Sequence, residues 1–75
     1  MSLPPESIEV GKCYLTDAGQ VRRILHILPN RRVAYERRPA YRPEAPWQEA
    51  NQDLSMFAAL AEAEVSCDFG PSSLG

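Results

Sequence analysis

The chain predicts a small, mainly β domain with one helix, and three features of the sequence carry that prediction. Residues 8–16, Gln20–Leu28 and 31–38 are short runs rich in β-branched and aromatic residues, separated by turn chemistry at Asp17-Ala18-Gly19 and Pro29-Asn30. Residues 51–64 change to helical spacing, and 65–69 (VSCDF) return to alternation. The order is therefore β-β-β-(β)-α-β, with a short fourth strand expected around Trp47. Consecutive strands with tight turns close most economically into a small, strongly bent antiparallel sheet, a barrel or half-barrel that the helix plugs.

Each element has its own reason. Residues 1–7 hold two prolines and polar side chains and read as a flexible lead-in to one domain spanning 8–69; residues 70–75 read as a frayed tail. Gly11 interrupts the first strand, which is the mark of a bulge or a close backbone approach, and leaves open whether Cys13 and Leu15 or Tyr14 points inward. In Gln20–Leu28, Val21, Ile24, Leu25, Ile27 and Leu28 are apolar, so alternation fails. Such a strand is central and needs cover on both faces. Residues 31–38 alternate more cleanly, with Val33 and Tyr35 on one side. Residues 39–46 contain three prolines and form an extended loop, not a central strand. Trp47 ends that loop and is expected as a core anchor, because a small core gains most from a large side chain. In the helix, Leu54, Phe57, Ala58, Ala61 and Val65 form an apolar stripe that Met56 and Leu60 widen, with Asp53 or Asn51 as N-cap.

At 75 residues there is room for one domain, and a protein of this size buries only about 60% of its unfolded surface. No apolar run approaches the roughly 20 residues of a membrane-spanning helix, and the first ten residues lack the pattern of a signal peptide. The expected location is the cytoplasm, and in a reducing cytosol Cys13 and Cys67 are expected as free thiols. A disulfide between them requires the first and last strands to be neighbours. Two Cys and one His cannot supply the four ligands of a structural zinc, and no cofactor motif is present. The catalytic inventory is equally short. His26 is the one histidine, set between apolar residues as a structural or surface residue, and neither cysteine has a nucleophile's context. No enzymatic activity is expected.

The formal net charge of −2 hides a segregated distribution. Residues 1–19 carry Glu6, Glu9 and Asp17 against Lys12. Residues 20–43 carry seven Arg against Glu36, and 44–75 carry six acids without a Lys or Arg. Arg suits planar, bidentate contacts and stacks on rings, so the basic block with Tyr35 and Tyr41 interleaved is the feature that points to binding. A thin sheet also needs charge on its exposed face and edges to stay soluble, and the acidic C-terminal third can meet the arginines within the molecule or across a homodimer.

Gly11-Lys12-x-Tyr14, Gly19-Gln20-Val21-Arg22-Arg23-Ile24-Leu25, Val33-x-Tyr35, Trp47 and Leu54-x-x-Phe57-Ala58 resemble small SH3-like-barrel proteins of bacteria and their phages. The resemblance covers residues 8–65 and consists of core and turn positions. It implies an SH3-like barrel and no particular activity; the Pro-rich insert and alanine-rich helix depart from the plain form. The combined expectation is a non-enzymatic interaction module. It binds a protein partner or a second copy of itself through the arginine-rich hairpin and Pro-rich loop, with Arg22, Arg31, Arg32, Arg38, Tyr41 and Arg42 as contact residues. The alternative is a nucleic-acid-binding accessory protein, which the low overall pI disfavours.

Overall fold

A computed structural model describes residues 3–70. It contains five strands, β1 (Cys13–Thr16), β2 (Gln20–Leu28), β3 (Arg32–Pro39), β4 (Gln48–Asp53) and β5 (Ala61–Val65), and one helix, α1 (Leu54–Leu60). The strands form one antiparallel sheet in the order β4-β3-β2-β1-β5. The mainly β class with one helix is present, and β2 is the central strand. The sheet is open, with β4 and β5 as its two edges.

Residue choice explains the local geometry. Gly19 ends the β1–β2 turn at φ 80°, and Gly11 sits at φ 88°, both in the left-handed region that glycine enters without steric cost. The Gly11 amide donates to the Ile24 carbonyl (2.9 Å), and the Lys12 carbonyl accepts from the Ile24 amide (3.0 Å). Two residues thus face one across a bulge, and the regular strand begins only at Cys13, shorter than the sequence run. Ile8 is nevertheless buried in the core. Leu3 is tied to the helix by its amide, which donates to the Ala58 carbonyl (3.1 Å), and Pro5–Ser7 form a single 3-10 turn. The β2–β3 connection places Arg31 at φ 63°, the left-handed third position of a three-residue hairpin turn.

The largest shift from expectation lies at the C-terminal half. The helix stops at Leu60, and Ala61–Val65 form the strand beside β1, so the last strand comes four residues before the alternating VSCDF segment. Ala and Glu are strong helix formers, but pairing with β1 satisfies the backbone of 61–65 and buries Ala61 completely. Asp53 is the N-cap; its carboxylate accepts from the Ser55 amide at 3.1 Å and from the Ser55 hydroxyl.

Strand register sorts the side chains into two faces. On the helix side, Tyr14, Ile24, Val33 and Tyr35 join Ile8, Phe57, Ala58 and Ala61 in the main core. The Phe57 ring meets Tyr14 and Tyr35 edge-on, at centroid distances of 6.1 and 5.1 Å. On the other face, Cys13 and Val21 are buried beneath the segment that follows β5. Both Cys13 and Tyr14 are thus inward-facing, toward different layers.

Cys13 and Cys67 form a disulfide, with Cα atoms 5.2 Å apart, which corrects the expectation of free thiols. The reason is topological: β5 returns beside β1 and pairs Val65 with Cys13, so the next turn carries Cys67 over its partner. Of the expected tail, residues 71–75 lie outside the described residues. Gly70 is buried, and a Cβ there would come within 2.8 Å of Pro43 Cγ. Among the described residues, no helix is long and apolar enough to cross a membrane.

Candidate binding cleft at the loop end of the sheet

The seven arginines fall into four environments, the two faces of the sheet, the hairpin tip and the loop beyond β3, and the register decides between the faces. Around Pro29–Arg31 the strands pair Leu28 with Arg32, but a bulge at Leu25 shifts the register by one residue. Arg22 therefore faces Arg37, Arg23 faces Glu36, and Arg38 faces Val21. Adjacent arginines are sent to opposite faces.

Arg22 lies on the helix side and is 8% exposed. Its guanidinium stacks over Tyr35 (4.9 Å) and Phe57 (5.6 Å). It donates to Gln20 Oε1 from Nε (3.1 Å) and Nη2 (3.0 Å), and to Gln52 Oε1 from Nη1 (3.1 Å). Burial holds its pKa below the ordinary arginine value. The charge of Arg37 acts in the same direction, whereas Tyr35 and Asp17 oppose it. Among the described residues, no carboxylate bonds to it.

Arg38 lies on the opposite face and is 3% exposed. It donates to the carbonyls of Cys67 and Phe69, both at 2.8 Å, and of Pro39 at 3.1 Å. Trp47 covers the same face, with the guanidinium carbons of Arg23 at 4.7 Å and Arg38 at 5.0 Å from its ring. Arg23 is ion-paired with Glu36. Trp47 is thus half-buried and seated on two guanidinium groups instead of anchoring the main core.

Of the expected contact residues, Arg22 and Arg38 are interior. Arg31 and Arg32 sit at the hairpin tip, where Arg32 donates to Asn51 Oδ1 at 2.7 Å, and Ile27 and Leu28 are partly exposed beside them. Tyr41 and Arg42 lie beyond the far end of β3, roughly 25 Å along an eight-residue strand. The six residues do not converge on one patch.

What converges instead is a cleft of about 400 Å³ at the loop end, between the β1–β2 turn and the Pro-rich loop. Gln20, Arg37 and Gln48 share the helix side of the sheet there, and Tyr41, 68% exposed, borders it from the loop. Pro39, Ala45 and Pro46 supply apolar wall. Sequence reasoning missed Arg37, Gln20 and Gln48. The adjacent apolar pair Ile24-Leu25, which breaks alternation, was the available signal of the bulge that sets Arg37 opposite Arg22. Among the described residues, no group of three or more His, Cys, Asp and Glu is placed to hold a metal. Comparison with family models, curated proteins and solved structures returns no match to this protein.

Proposed function

We propose that the domain is a non-enzymatic interaction module that holds a protein partner at the loop-end cleft. The observation that carries this reading is Tyr41: a large aromatic side chain exposed at the rim of an open cleft, on a loop whose prolines restrict the backbone. Aromatic residues held at such rims lose little entropy on contact, which is why they anchor interfaces. The non-enzymatic part draws support from the chemistry withdrawn from the cleft. Both cysteines are spent in the disulfide, and His26 is exposed on the tip half of β2. Kinship with SH3-like-barrel proteins belongs to the same reading, supported by the consecutive antiparallel order with the helix inserted before a last strand that returns beside the first.

The sequence placed the protein in the cytoplasm, and the disulfide weighs against that, since such bonds persist in oxidising compartments. The nucleic-acid alternative is weakened by the withdrawal of Arg22 and Arg38 into the interior and of Arg23 into its pair with Glu36.

A photo-crosslinking residue placed at Tyr41, with one at exposed Met56 as control, tests the reading in the cell of origin. The expected result is a discrete adduct from position 41 alone, which Arg37→Glu removes. Identical adducts from both positions, or none, contradict it. Light scattering identifies the partner as a second copy if the purified protein is dimeric, and retention on single-stranded oligonucleotide at low salt would favour the alternative.

A further inference from the structure

We infer that the cleft is a receptor for a single carboxylate carried by the partner polypeptide, an Asp or Glu side chain or the terminal α-carboxylate, with Arg37 as the fork that grips it. This rests on the partner-binding reading above and adds the chemistry of what is recognised. Several side-chain donors meet at the cleft, and no carboxylate among the described residues lines it. Among the described residues, the Arg37 guanidinium has no hydrogen-bond or ion-pair partner, and its cross-strand neighbours on this face are Arg22 and Gln48. Two cations set directly opposite each other destabilise a sheet unless an anion joins them.

Gln20 is oriented for the same task. A guanidinium can only donate, so the two hydrogen bonds from Arg22 fix Gln20 Oε1 as the acceptor and leave the two N–H donors of the Gln20 side-chain amide unengaged by any described residue. The Gln48 amide and the Tyr41 hydroxyl are likewise unengaged by any described residue at the cleft. No Asp or Glu among the described residues lines it; Asp17 and Glu44 stand just outside, next in sequence to Ala18 and Ala45. Arg38 also borders the cleft, but its guanidinium is bound to carbonyls on the other face.

The balance of charge selects the anion. One free guanidinium with neutral amide and hydroxyl donors matches a planar monoanion, which accepts two parallel bonds from the fork. A phosphate dianion calls for a second free cation, and the other arginine of the described lining, Arg38, has its guanidinium bound to carbonyls on the opposite face. The proline and alanine walls fit the hydrocarbon of a peptide.

The test uses N-acetylglutamate α-amide, with the neutral isostere N-acetylglutamine amide and inorganic phosphate as separate arms, each titrated into isotope-labelled protein and followed by amide chemical shifts. The expected result is saturable shifts at Gln20, Arg37 and Gln48 with the carboxylate and none with the isostere. Arg37→Gln weakens binding by roughly tenfold or more, the loss of a charge-assisted pair. Arg37→Lys retains a part, having the charge without the fork. Equal response to the isostere, or unchanged affinity in Arg37→Gln, overturns the inference, and tighter binding of phosphate overturns the choice of carboxylate. Tyr41 crosslinking without a carboxylate response would sink this inference and leave the module reading standing. A carboxylate response without crosslinking would keep the anion site and remove the partner polypeptide that was to supply the anion.

Discussion

The two faces of the sheet each bury an arginine, and they do so by opposite means. On the helix side, Arg22 lies against the rings of Tyr35 and Phe57 at the margin of an apolar core, bonded only to neutral amides. On the other side, Arg38 holds down a stretch of backbone, donating to the carbonyls of Cys67 and Phe69 while Trp47 stacks above it. Each makes three hydrogen bonds. Those of Arg22 end on side-chain amides that can turn to water, so its packing against the rings is what the site depends on, whereas those of Arg38 end on main-chain carbonyls fixed in place. A domain this small, with one helix among its described residues, can cover only one face with apolar layers. The second face is closed by a disulfide, a guanidinium and a tryptophan, devices that small domains adopt when core is scarce.

That contrast can be broken from either side. Replacing both cysteines with serine removes the covalent half of the second face; closing a loop of this length stabilises by about 4 kcal/mol in the chain-entropy account, where the cysteines are 54 residues apart. The expected outcome is a large fall in the urea midpoint, with Trp47 emission shifted to the red as its cover loosens. Trp47→Ala removes two cation–ring contacts and their burial, an expected loss of about 2 kcal/mol by chemical denaturation, and the amides of 65–69 should exchange faster than those of Ile24 or Tyr35.

The smallest effect sharpens the comparison through pH. The Ser55 hydroxyl and amide hold the Asp53 carboxyl below its ordinary pKa. A depressed native value means that the N-cap contribution is complete above the unfolded value of about 4 and is lost as the pH falls through the native one. The stability gap between the wild type and Asp53→Ala should therefore narrow in acid, and hydrogen exchange should show the loosening first in α1, on the helix side.

Much of this architecture is legible in the sequence. Gly11, Gly19 and the Pro-rich loop marked the irregular backbone, Asp53 was one of two candidate helix caps, and the apolar residues on both faces of β2 required cover on each. Two things were hidden. The Ala61–Val65 segment carries a helical composition, and only the neighbouring edge of β1, a long-range partner, turns it into a strand. The position of every arginine depends on one extra residue at Leu25. Counted from the turn without the bulge, Arg22 would pair with Arg38 on one face, as a surface patch. With the bulge they part, both become interior, and Arg37 is left in the cleft. A single register shift thus moves the candidate site from one arginine to another.

The measurement that reaches the centre of this account is a parallel urea denaturation of Arg22→Met and Arg38→Met, with the disulfide intact in both. If Arg22 serves as surface and Arg38 as a cross-link, methionine can replace the first within about 1 kcal/mol, because it keeps the packing and relieves the repulsion from Arg37. It cannot replace the second, where unpaired carbonyls and a lost stack cost about 2 kcal/mol or more. Equal losses, or a larger loss at Arg22, would contradict the division of labour between the two faces.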